Sequence, residues 1–171
     1  MKKLILMLVV AVAAISNASA MNLKEAFNAL SNIQNVNVVT PDYNLPIDAD
    51  IVQNGQLAAG YNLNKEQIAE AGTAAYTILN QVPLTSMVNG GNNGEVASFI
   101  YAMPNDSGSN DLLVVAMSGY KGSVVFFYTT ADDAYVSAIK SAPLKIEGNF
   151  LSLEAKMSDG NEFNIILSKA R

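Results

Sequence analysis

The chain has 171 residues, ten basic and fifteen acidic, and contains no cysteine, histidine or tryptophan. Without cysteine there is no disulfide, thiol nucleophile, iron–sulfur cluster or thiolate zinc site, and without histidine there is no imidazole base, Ser-His-Asp triad or His-bound metal. The acidic excess, with basic residues spread singly from Lys24 to Arg171, excludes a patch that could track nucleic acid phosphates and argues against docking on anionic lipid.

Residues 1–20 have the three parts of an export leader. Lys2 and Lys3 make a positive start, Leu4 to Ile15 is an unbroken apolar run of twelve residues, and Ala18-Ser19-Ala20 supplies small residues for a leader peptidase. A bilayer-spanning helix needs roughly twenty apolar residues, so the run predicts a removable leader and no stable membrane insertion after cleavage. No cysteine follows Ala20 to carry a lipid anchor. Cleavage after Ala20 leaves residues 21–171, a single globular domain with eight basic residues against fifteen acidic, located in the periplasm or secreted. That length buries a core without disulfide staples.

Met21 to Ile33 reads as a helix. Leu23, Ala26, Phe27, Leu30 and Ile33 recur at helical spacing, Asn22 with Glu25 has the capping-box pattern, and Asn35 suits a left-handed stop. Val36 to Thr40 is β-branched and reads as a strand halted by Pro41. Pro41 to Gly60 reads as a long loop with a brief strand near Ile51-Val52. A loop of that length is uncommon in a compact domain and is either functional or conceals an element. Asn64 to Gln81 reads as a second helix, with Asn64 and Gln67 as its capping pair. Ile68, Ala71, Ala75, Ile78 and Leu79 form its buried stripe.

Asn89 to Gly94 reads as a polar connector. Three apolar strands follow, Val96 to Met103, Leu112 to Ser118 and Ser123 to Thr129, joined by the turns Asn105 to Asp111 and Gly119 to Gly122. Runs such as LLVVAM and VVFFY suit strands covered on both faces, so this meander is expected at the centre of the sheet. Ala131 to Ser141 reads as a third helix with Thr130 as N-cap and Asp132 and Asp133 in the first turn, favoured there by the helix dipole. The tail predicts strands at Leu144 to Glu147, Phe150 to Met157 and Glu162 to Ser168, the last two joined by the hairpin signal Asp159-Gly160. Short hairpin-like connections predict an α+β fold: a mostly antiparallel sheet of about six strands with three helices packed on it, mostly on one face.

No residue pattern carries a catalytic, cofactor or metal assignment. Asp48-Ala49-Asp50 with Asn54-Gly55 echoes a calcium loop, but Val52 takes a ligand position and no closing Glu follows, so a solvated acidic loop explains it. Asn105 to Asp111 (NDSGSND) is rich in oxygen, as turn chemistry alone requires. Asp132 and Asp133 are adjacent on a helix and point apart. Gly90-Gly91 and Gly94 precede a strand without a following Lys-Ser or Lys-Thr, which rejects a phosphate loop. Of the seven tyrosines, Tyr43 and Tyr120 have the loop positions expected to be exposed, where aromatics favour binding.

The opening helix FNALSNIQNVNVV (Phe27 to Val39) and the block DLLVVAMSGYKGSVVFFYTTADD (Asp111 to Asp133), behind a leader, resemble a family of small exported Bacteroidetes proteins of unknown function. The resemblance covers about half of residues 21–171. It implies a small envelope or secreted protein and brings no catalytic residues; lipid anchoring, common in that family, does not carry over to a chain without cysteine. The resulting expectation is a non-catalytic exported domain binding a protein or envelope component. The alternatives are a carrier of a small apolar ligand, held between helices and sheet, and a carboxylate-based hydrolase, which would need two facing acids.

Overall fold

A computed structural model of the chain describes residues 20–39, 55–92, 96–119, 122–141, 144–147, 150–156 and 162–167. In chain order the elements are α1 (Leu23–Ser31), β1 (Asn37–Val39), β2 (Gln56–Gly60), α2 (Lys65–Leu79), β3 (Met87–Asn92), β4 (Val96–Pro104), β5 (Asn110–Ser118), β6 (Ser123–Ala131), α3 (Asp133–Ser141), β7 (Leu144–Glu147), β8 (Phe150–Lys156) and β9 (Glu162–Leu167). A 3-10 turn at Leu84–Ser86 leads into β3. The first six strands form one open antiparallel sheet in the order β1-β2-β6-β5-β4-β3, and β7-β8-β9 form a second antiparallel sheet. The fold is α+β, as expected, and the β4-β5-β6 meander lies inside the larger sheet.

Both capping boxes form. The Asn22 carboxamide oxygen accepts from Glu25 N at 2.9 Å, and the Glu25 carboxylate accepts from Asn22 N at 3.1 Å. Asn64 and Gln67 make the same reciprocal pair at 2.9 Å each. These bonds satisfy amides that the first helical turn leaves without intrahelical partners. A nine-residue helix is too short to persist alone in water, so α1 depends on its buried stripe of Leu23, Ala26, Phe27 and Leu30. Burying the two leucines and the phenylalanine contributes about 6 kcal/mol before chain entropy is counted. Asn35 is left-handed at φ 68°, in the turn after the helix rather than as its cap, which is Asn32.

Strand alternation divides the core into two layers. Ala58, Tyr101, Leu113, Val115, Val124, Phe126 and Tyr128 face α1 and α2. Leu57, Ile100, Ala102, Leu112, Val114 and Phe127 face α3, which contributes Tyr135, Val136 and Ile139. Residues 112–116 of β5 are therefore buried on both faces, as its unbroken apolar run requires. Two helices share one face and the third covers part of the other. Helix α3 lies against both β3 and β8.

The structure departs from the local expectations in three places. First, residues 56–60 form β2 inside the stretch read as loop; Ile51-Val52 lies outside the described residues. Leu57, Ala58, Ala59 and Gly60 are all buried, since β2 pairs with β6 along its length. Second, Asn89 to Asn92 belong to β3. Cross-strand Phe99 lies so close over Gly90 that an added Cβ would sit 3.0 Å from Phe99 Cδ1. The ring supplies the packing the glycine lacks. Third, the α3 cap is Asp132, whose carboxylate accepts from Tyr135 N at 2.7 Å, while Thr130 belongs to β6. The tail strands pair with one another through short connections and leave β1 and β3 as the edges of the larger sheet.

Candidate functional site

The densest polar cluster among the described residues is at one end of the central strands, around the β4–β5 turn. Asn105 organises it. Its Oδ1 accepts from Ser107 N at 3.0 Å, Ser107 Oγ at 2.7 Å and Ser109 N at 3.2 Å, while its Nδ2 donates to Ser109 Oγ and Asp111 Oδ1, both at 3.0 Å. Asn105 N also donates to Ser109 O at 2.9 Å, and Gly108, at φ 80°, closes the turn. An asparagine side chain bonded to the amide two residues on is an Asx turn, which holds such a loop without any ion.

Three further hydrogen bonds tie this turn to β6 and α3. Tyr128 OH donates to Asp111 Oδ1 at 3.0 Å. Asn110 Nδ2 donates to Asp133 Oδ1 at 2.8 Å and to Ala131 O at 3.4 Å. Successive residues on a strand point to opposite faces, so the Asp111–Tyr128 pair belongs to the α1/α2 side and the Asn110–Asp133 pair to the α3 side. The two carboxylates do not face one another across a cleft. Burial, with the hydrogen bond and charge of Asp111, pushes the Tyr128 phenol up to about 12. At neutral pH that hydroxyl stays protonated and acts as a donor. Its ring packs at 5.8 Å from the Phe27 ring, tying the cluster to α1.

The residues singled out by sequence fall as follows. Asp48, Asp50 and Asn54 lie outside the described residues, as do Gly94, Tyr43 and Tyr120. Asn105 to Asp111 is the turn just described. Asp132 caps α3, and Asp133 holds Asn110, so each of the adjacent acids has a separate structural partner. Gly90 and Gly91 lie in β3. Among the remaining tyrosines, Tyr101, Tyr128 and Tyr135 are buried and Tyr61 is exposed. No three Asp or Glu side chains among the described residues are grouped to hold a metal ion.

Sequence reasoning passed over two features. One is apolar exposure at the sheet edges. Val38 on β1 is 68% exposed, and at the entrance to β3 Leu84 is 58% and Met87 41% exposed. Leu84 opens the 3-10 turn, and Met87, its extended C-cap, begins β3. The available signal was two large apolar residues directly after Pro83, outside any helical stripe. The other feature is Ser98, whose hydroxyl is fully buried on the α3 side of β4 without a hydrogen-bond partner. Its alternation within an apolar strand hid it.

No protein-family model, curated protein or solved structure matches the chain.

Proposed function

We propose that the chain is an exported, non-catalytic binding domain whose partner is a protein of the cell envelope, met at the β3 edge of the larger sheet. The observation that carries this reading is the pair Leu84 and Met87, exposed together beside an edge strand. Burying the exposed parts of both against a partner would contribute about 2 kcal/mol, enough to make them anchors in a wider contact. The leader-like residues 1–20 support export. No helix among the described residues is long and apolar enough to cross a membrane. The polar clusters support a binding role over chemistry: Asn105, Asp111, Asp132 and Asp133 each hold a turn, a cap or a neighbouring strand.

The test is site-specific photocrosslinking in cells that export the protein. A crosslinker at position 84 is expected to capture one discrete envelope protein, and Met87→Lys to weaken the adduct. A crosslinker at Thr73, on the exposed polar side of α2, is expected to capture none. Identical patterns from positions 84 and 73 would remove the reading.

A second reading, a carrier of a small apolar ligand, draws on Ser98. A buried hydroxyl without a partner costs about 1–3 kcal/mol, and a polar group on a bound molecule would relieve that cost. Native mass spectrometry of the purified protein discriminates: a stoichiometric small-molecule adduct favours the carrier, and the bare chain mass favours the protein-binding domain.

A further inference from the structure

The junction between leader and domain is built into the fold. Met21 N donates to Gln81 O at 2.8 Å. Gln81 lies just past the C-terminal end of α2, where Gln81 N returns to Ile78 O at 3.0 Å and Val82 N to Leu79 O at 3.1 Å. The Met21 side chain packs against the core beside α1 and α2, while Ala20 is exposed. The bond between the predicted last leader residue and the first domain residue is therefore held at the negative end of a fifteen-residue helix. The last turn of that helix carries no basic side chain.

We infer that leader removal converts this contact into a charge-assisted lock, in which the new Met21 α-ammonium completes the C-terminal end of α2. The inference rests on the export reading and its cleavage after Ala20. Hydrolysis of the Ala20–Met21 amide adds water across it. The hydroxyl goes to the Ala20 carbonyl, which leaves as a carboxylate, and Met21 N takes up protons to become an ammonium. The amide N–H that donated to Gln81 O is replaced by N⁺–H donors on the same atom. Charge-assisted hydrogen bonds are roughly twice as strong as neutral ones, and a cation at a helix C-terminus is favoured by the exposed carbonyl dipoles.

An opposing term acts at the same place. Met21 also stands just before α1, whose N-terminal dipole repels a positive charge. Two features tip the balance. The Glu25 carboxylate already accepts from Asn22 N, one residue along, and places negative charge between the ammonium and the α1 amides. Gln81 O, by contrast, is in direct contact with Met21 N. The attraction is at hydrogen-bond distance, and the repulsion is offset locally.

Because residue 21 is itself methionine, the chain 21–171 can be produced without a leader, and it contains every described secondary-structure element. Its urea unfolding is compared with the free α-amine and after selective α-acetylation. Acetylation keeps the N–H but removes the charge, and the exposed Ala20 shows that a group of that size fits there. The acetylated form is expected to unfold with an equilibrium constant roughly three- to tenfold larger, and the gap is expected to narrow in 1 M salt. Equal stability, or a more stable acetylated form, overturns the lock. N-terminal sequencing of the protein exported from the full chain tests the export reading separately. A start other than Met21 removes that reading, whatever the unfolding comparison shows.

Discussion

Gly122→Ala tests how α2 is anchored to the central hairpin. Gly122 begins the approach to β6 at φ +62°, and its carbonyl accepts from Leu63 N at 2.9 Å. Leu63 directly precedes Asn64, the cap of α2, so this one bond sets where the helix starts. A Cβ at Gly122 would stand 2.3 Å from Leu63 O and 3.1 Å from Leu63 N, both backbone atoms. Two costs add. Placing alanine in the left-handed region costs about 1 kcal/mol. Relieving the overlap requires the Leu63 segment to move away, which breaks the bond and disturbs the cap beyond it, each worth about 1 kcal/mol. The sum is about 3 kcal/mol, or a melting temperature lower by about 6–12 °C for a domain of this size. Gly108→Ala isolates the first cost, since Gly108 has φ +80° but nothing within 4 Å of its added Cβ; it is expected to lose about 1 kcal/mol. Gly72→Ala, within α2 and equally uncrowded, is expected to gain about 1 kcal/mol. Urea unfolding of all three against the parent is the assay. If Gly122→Ala costs no more than Gly108→Ala, the Leu63 contact does not anchor the helix and the reasoning fails.

Three further outcomes are expected. Ser98→Ala should raise the urea midpoint by about 1 kcal/mol of stability, because it removes a buried hydroxyl that has no partner; a fall in the midpoint would show that the hydroxyl is used. Asn64→Ala should cost about 1 kcal/mol through loss of the α2 capping box, with circular dichroism at 222 nm largely preserved below the transition. Alkaline stability should fall between pH 10 and 12. Burial holds the Tyr101 phenol at about 12, and burial together with Asp111 does the same for Tyr128, whereas both titrate near 10 when unfolded. The stabilisation is thus complete below pH 10 and is lost as the pH rises toward 12, at up to about 1.4 kcal/mol per pH unit for Tyr101 and less for Tyr128, whose interaction with Asp111 is screened by solvent. Tyr128→Phe should lessen that slope, and an unchanged slope in chemical unfolding monitored across this range would contradict the assignment.

The helices were legible because their determinants are local. Asn22 with Glu25 and Asn64 with Gln67 mark helix starts within four residues, and the reciprocal bonds form as the pattern requires. The meander was legible because residues 112–117 of β5 are an unbroken apolar run, which suits a strand covered on both sides. Strands β2 and β3 were not. QLAAG and MVNGGN have weak strand propensity, and they are strands because β6 and β4 offer unpaired backbone beside them. In the candidate site, the turn chemistry of Asn105 to Asp111 was readable. The Tyr128 contact to Asp111 was not, because it joins residues 17 apart that only antiparallel pairing brings together.

Local order in the chain thus determined the N-caps of α1 and α2, the apolar run of β5, the turn at Asn105 to Asp111 and the α+β class, all of which depend on neighbours a few positions away. The tertiary structure alone decided which strands stand at the sheet edges, that the tail pairs with itself, and that Leu84 and Met87 remain in solvent while Ser98 does not. Those outcomes depend on competition between distant segments for the same hydrogen-bonding edge and the same apolar face, and no short window of sequence contains both competitors.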